Sequence, residues 1–227
     1  MQLPEVVLEV FATQSATDQH HQLMSAARSR AIGWQVVGDD VVAVLSDTVQ
    51  SQGLVARCRF VDRSLGELLA TRPRLLVVCA DVRDPGNAGT VIRCADAAGA
   101  DGVVFTGNSV DPFNPKAVRA SAGSVFHLDL VIDPDIEGVV SSLKDAGITV
   151  LAADGKADVD LPEADRSGTL AGPTAWLMGN EAWGLPDTVR MLADHVVAVP
   201  IYGRAESLNL ATAAAVCLYA SAQAQRR

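Results

Sequence analysis

Six short apolar runs recur through the chain from residue 75 onward, at 75–80, 102–105, 125–131, 148–152, 174–178 and 195–199. They are continuous rather than alternating, so neither face of such a strand suits water. Helix-compatible segments lie between or after them, at 88–98, 115–122, 136–146 and 208–222. Alternating buried strands and helices predict an α/β fold with a parallel sheet covered on both faces. Aromatic residues make up only 4 % of the chain, so Val, Leu, Ala and Ile must fill that core.

The first part of the chain reads differently. Residues 5–12 form a β-branched strand pattern, 17–31 tolerate a helix, and 34–37 suit a short strand. Asp39 and Asp40 precede a helical segment at 41–45, where their charge suits a helix N-terminus. A further strand is expected within 53–61, and residues 62–73 read as a connector. The expected organisation is a small α/β domain at 1–70 and a larger α/β domain at 74–227. The small domain opens abruptly on a strand, so it is expected to lack an initial strand and helix.

Three loops stand out in the larger domain. The first, Asp84-Pro-Gly-Asn-Ala-Gly-Thr-Val-Ile-Arg93, turns into a helix for which Asn87 is the expected cap. On that helix Val91, Cys94, Ala95 and Ala98 share a face, and Arg93 points away from it. The second, Met178-Gly-Asn-Glu-Ala-Trp-Gly-Leu-Pro186, follows a strand. There Gly179 permits close backbone approach to a ligand, and Glu181 emerges near the strand end. The third runs from Ile201 to Ala215 and crowds Glu206, Ser207 and Asn209 at the start of a small-residue helix. One capped core helix accounts for residues 210–218, whereas several polar groups at its mouth suit a polar ligand. Loops beyond the carboxyl ends of parallel strands are where open α/β folds hold ligands, so one composite site is expected. The loops contain neither GxGxxG nor a Walker A pattern.

Lys116 and Arg119, three apart on a short helix, either hold phosphates or form an ordinary solvated face. Acidic residues outnumber basic ones 27 to 18, which disfavours a broad nucleic-acid surface and leaves local arginines such as Arg28 and Arg57 as the groups for any phosphate contact. Four scattered cysteines without CxxC spacing fit reduced thiols in a cytoplasmic protein and give no metal signature. No apolar run approaches the ~20 residues of a membrane span.

Taken together, the motifs resemble those of the SpoU (TrmH-like) family of the SPOUT superfamily. They are Asn87-Ala-Gly-Thr-Val-Ile-Arg93-Cys-Ala, Met178-Gly-Asn-Glu181-Ala-Trp-Gly-Leu-Pro and Val199-Pro-Ile-Tyr-Gly-Arg-Ala-Glu-Ser207-Leu-Asn209-Leu-Ala. The block around Lys116 and Arg119 is similar to a further family segment, and the likeness spans residues 74–222. Residues 1–70 are similar, more weakly, to a ribosomal-protein-like substrate-binding domain. The resemblance implies a deep C-terminal trefoil knot, a homodimer, and methyl transfer from S-adenosylmethionine to an RNA ribose 2′-hydroxyl. Ribosomal RNA is favoured over transfer RNA, and a catalytically silent RNA-binding protein on the same scaffold is the alternative. It implies catalytic roles for Asn87, Arg93, Glu181, Ser207 and Asn209, and a cofactor pocket lined by Gly179, Val199, Ile201 and Leu208. In this reading Glu181 and Asn87 hold the Arg93 guanidinium, and no metal or membrane takes part.

Overall fold

The computed structural model describes residues 5–46, 51–157 and 159–227. Two compact units divide between Val61 and Asp62.

The first unit contains β1 (Val7–Ala12), α1 (Gln14–Gln19), α2 (His21–Ser29), β2 (Gly33–Val36), α3 (Asp39–Ser46) and β3 (Leu54–Cys58). Its sheet has the order β2-β1-β3, with β1 parallel to β2 and antiparallel to β3. Val10, Ala27 and Ile32 form its small core, against which Val7 and Trp34 pack. Thr13 caps α1 by accepting the Ala16 amide, as the lone donors of a helix start require. Arg57, on β3, is paired with Glu9 on β1, and Arg28 lies exposed on α2.

The second unit begins earlier than the connector reading of 62–73 supposed. β4 (Asp62–Arg63) joins the main sheet, and α4 (Leu65–Ala70) follows with a reciprocal capping box between Ser64 and Glu67. Leu68 on α4 is fully buried, which fastens this segment to the larger core. Next come β5 (Leu75–Ala80), α5 (Pro85–Ala98), β6 (Gly102–Thr106), α6 (Pro115–Ala120), β7 (Asp129–Ile132), α7 (Ile136–Asp145) and β8 (Thr149–Ala153). The chain continues through β9 (Val159–Asp160), α8 (Leu161–Arg166), β10 (Thr174–Met178), α9 (Asp187–Arg190), β11 (His195–Ala198) and α10 (Leu210–Ala224). The expected strand at 125–131 is shorter: Ser124–Phe126 is a 3-10 turn and the strand starts at Asp129.

All strand pairs of this eight-stranded sheet are parallel, in the order β4-β7-β6-β5-β10-β8-β11-β9. Every residue of β5, β6 and β10 is buried, so their unbroken apolar runs meet helices on both faces. One layer holds α5 and α10; the other holds α4 and α7. Within the first, Gly89 lets α5 meet α6 at backbone distance: a Cβ there would stand 2.2 Å from the Ala117 carbonyl oxygen. The buried Trp176 indole on β10 donates to the Ser221 hydroxyl at 2.9 Å, which explains a serine inside an apolar helix. α10 packs Ala211, Ala214, Cys217 and Leu218 into the core and leaves Val216 and Tyr219 exposed. No described helix is long and apolar enough to cross a membrane.

Asp194, just before β11, accepts the Val150 amide at 2.8 Å and the Lys144 ammonium at 2.9 Å. Burial alone would raise its carboxyl, but these donors outweigh it and hold it below the ordinary 3.8. A lowered folded value means stability that is complete at neutral pH and is lost as pH falls through that value. Asp194→Ala is therefore expected to lower stability by about 1 kcal/mol at pH 7, since the Lys144 pair is partly screened by solvent. Denaturant melts at stepped pH should show the gap between variant and parent closing below 3.8.

Candidate active site

β5 and β10 are neighbours in register, with Met178 opposite Cys79. Their carboxyl ends therefore deliver the 81–84 and 179–184 loops side by side, although about a hundred residues separate them in sequence. The Asn180 side chain fastens one to the other: its amide donates to the Asp81 carbonyl at 2.7 Å while its oxygen accepts the Ala182 amide. Asn180 and Gly184 also exchange two backbone hydrogen bonds of 2.9 Å, closing a tight loop around Glu181, Ala182 and Trp183.

Glu181 sits at the centre of the polar cluster. Its carboxylate accepts the backbone amides of Arg83 at 3.3 Å and Asp84 at 3.2 Å, and the Asn87 side-chain amide at 3.2 Å. Asn87 in turn accepts from the Asn209 amide at 3.0 Å. The chain Glu181–Asn87–Asn209 thus ties all three loops together. Asn87 is available for this because it is not the cap of α5; Asp84 is, accepting the Asn87 amide at 2.7 Å. Asn209 does both jobs. Its oxygen caps α10 through the Ala211 and Thr212 amides, and its nitrogen reaches Asn87. Nearby, burial and then the Glu181 carboxylate push the Cys79 thiol up, so it stays protonated and inert.

Beside this cluster lies a pocket of about 810 Å³. Gly179, Val199, Ile201 and Leu208 all line it, with Glu181 and Ser207. Asn87 and Asn209 do not reach its wall and act on it through Glu181. Met178, Val199, Leu210 and Ala213 make part of the wall apolar, and Glu206 adds a carboxylate. Sequence reading missed the opposite side, residues 153–156 after β8 and Arg190 on α9. The Arg190 guanidinium binds Asp154 at 3.3 Å and Asp187 at 2.7 Å, bracing that wall. Strand order is the signal that would have found it, because β8 lies between β10 and β11. Gly179 has a clear reason to be glycine. A Cβ there would come within 2.4 Å of the Gly184 carbonyl carbon and 2.5 Å of the Leu185 nitrogen.

Arg93 corrects an expectation. It is exposed on α5 and makes no hydrogen bond or ion pair among the described residues, so Glu181 and Asn87 of its own chain do not hold it. Six residues of helix separate it from Asn87, about 9 Å along the axis and about 240° around it. Lys116 and Arg119 are exposed on α6, packed against α5.

Both units are similar to known proteins. Residues 74–219 match the SpoU rRNA Methylase family, and residues 2–63 match the domain described as RNA 2′-O ribose methyltransferase substrate binding. A 23S rRNA (guanosine(2553)-2′-O)-methyltransferase of Bacillus subtilis is 35% identical over 184 residues, covering 81% of this chain and 70% of that protein. A 23S rRNA (guanosine-2′-O-)-methyltransferase of Shewanella oneidensis is 29% identical over 229 residues, 98% and 92% of the two chains. The SpoU methyltransferase AviRb of Streptomyces viridochromogenes, solved with AdoMet, superposes with a TM-score of 0.81 at 30% identity, covering 97% of this chain and 83% of that one.

Proposed function

This chain belongs to the SpoU rRNA methylase family, and on that premise we propose that it methylates a ribose 2′-hydroxyl of ribosomal RNA, using S-adenosylmethionine. The observation that carries this reading is the pocket: the chain beyond β8, β10 and β11 lines it, and the Glu181–Asn87–Asn209 hydrogen bonds tie its Glu181 wall to the loop before α5. The lining suits the cofactor. It pairs an apolar wall for an adenine with carboxylates, Glu181 and Glu206, for a cationic sulfonium and ammonium. Gly179, Val199, Ile201 and Leu208 would hold it, the first offering bare backbone. When bound, the cofactor supplies a methyl carbon already activated by its sulfonium, so positioning and proton removal remain.

Arg93 is the cation for that work. A guanidinium stays protonated, so it binds the neighbouring phosphate and stabilises the developing alkoxide rather than taking the proton. Ser207, on the pocket wall, orients the ribose. Arg93 is supplied by a second copy of the chain. The exposed Tyr219 hydroxyl on α10 donates to the Ala97 carbonyl, one turn beyond Arg93 on the same face of α5. That face, with exposed Val216, offers apolar area for a two-fold interface and carries Arg93 to the other copy's pocket. The C-terminal part of this domain forms the deep trefoil knot that the family resemblance implies. The first unit, with Arg28 and Arg57, and α6, with Lys116 and Arg119, bind the RNA. The chain acts in the cytoplasm.

Mapping 2′-O-methylated positions in ribosomal and transfer RNA from cells with and without the protein tests the reading. One ribosomal position should lose its methyl group completely in the deletion. A lost mark confined to transfer RNA would move the substrate, and an unchanged map would leave only RNA binding.

A further inference from the structure

We propose that Trp183 and Arg83 form a preformed stacking platform at the pocket rim for an unpaired nucleobase of the substrate RNA. The inference deepens the reading above and rests on it. Trp183 is 55% exposed and is the one aromatic side chain lining the pocket among the described residues. In a chain so poor in aromatics, an exposed indole at that place has no packing role to explain it. The Arg83 guanidinium stands 5.2 Å from its ring centroid. The Arg83 side chain is itself half exposed, and its ion-pair partner among the described residues, Asp81, is a distant 3.9 Å away.

Both side chains spring from hydrogen-bonded backbone. Trp183 sits in the loop closed by the Asn180–Gly184 exchange, and the Arg83 amide is bound by Glu181, the acid at the pocket wall. An indole and a guanidinium plane are the two surfaces on which single-stranded bases stack, and the guanidinium can also bind a phosphate. Holding a base here would place its nucleotide next to the cavity in which the methyl donor is bound. Apolar and cationic groups together also explain how an acidic protein grips RNA with few phosphate contacts.

The test compares the parent with Trp183→Ala, Trp183→Tyr and Arg83→Gln, using ribosomal RNA from cells lacking the protein. Trp183→Ala should raise KM for RNA about tenfold, with kcat changed less than twofold. Trp183→Tyr should recover most of that loss, and Arg83→Gln should show a smaller rise that vanishes at high salt. S-adenosylhomocysteine affinity should stay within twofold throughout. In parallel, in a Trp34→Phe background that leaves Trp176 and Trp183 as the only indoles, RNA should quench the tryptophan fluorescence, and adding Trp183→Phe should remove that quenching, since Trp176 is fully buried. An unchanged KM with unchanged quenching would overturn the platform, as would a matching fall in S-adenosylhomocysteine affinity, which would assign Trp183 to the cofactor. A parent that binds RNA with Trp183 quenching yet transfers no methyl group would instead sink the methyltransferase reading and leave the platform standing.

Discussion

Arg93→Ala is expected to abolish methyl transfer, lowering kcat about a thousandfold, or ~4 kcal/mol of barrier, while leaving fold and cofactor affinity intact. The size follows from the role. A fixed positive charge beside a developing alkoxide acts mainly in the transition state, so its loss appears in kcat rather than in binding. The sparing of stability follows from the structure: Arg93 is exposed and holds no partner whose loss would leave a buried group unsatisfied. Arg93→Lys should recover little, because an ammonium lacks the planar fork that grips a phosphate. Mixed dimers sharpen the result. Combining Arg93→Ala chains with chains whose pocket is filled by Leu208→Trp should restore about a quarter of parental activity, as random pairing gives one intact shared site in half of the dimers. Single-turnover rates on ribosomal RNA provide the measurement. No restoration on mixing would place Arg93 and the pocket of the same chain together and contradict the shared site. Near-normal turnover by Arg93→Ala would end its catalytic role.

Gly179→Ala should be one of the most damaging single methyl additions in the protein. The added carbon would meet the Gly184 carbonyl carbon at 2.4 Å and the Leu185 nitrogen at 2.5 Å, both backbone atoms held by the Asn180–Gly184 hydrogen bonds. No flexible side chain can move aside, so the loop must open. Overpacking of this kind costs about 3 kcal/mol, which for a chain of this size lowers Tm by roughly 6–12 °C. The same displacement shifts Glu181 away from the Arg83 and Asp84 amides, so S-adenosylhomocysteine binding should become undetectable by calorimetry. Gly203→Ala is the matched control, because no atom lies within 4 Å of a Cβ built there. Equal melting temperatures for the two variants would show that the Gly179 loop yields easily.

The elements of the larger domain were legible because buried parallel strands write themselves as unbroken apolar runs. Thr174–Met178 and Leu75–Ala80 begin and end where those runs do. The connector reading of 62–73 failed for a local reason. β4 is two residues long, too short to carry a periodicity, and α4 is a single helical stretch whose only fully buried anchor is Leu68. Asn87 was mistaken for a cap because Asp84, Asn87 and the intervening Pro-Gly all suit a helix start. Only the position of Glu181 shows which side chain is spare. Arg93 was placed beside Glu181 because motif membership says that residues work together without saying that they touch within one chain, and α5 carries Arg93 away from Asn87.

What the sequence determined alone was local and chemical: the strand runs, the three polar loops, and the glycine at 179 that a close backbone approach requires. The tertiary structure decided which groups meet. Adjacent β5 and β10 bring the amides of residues 83 and 84 to the carboxylate of residue 181, and β8 between β10 and β11 supplies a wall no motif marked. The physical reason is that a hydrogen bond acts over about 3 Å whatever the separation along the chain, and strand order, which sets that proximity, leaves no trace in residue spacing.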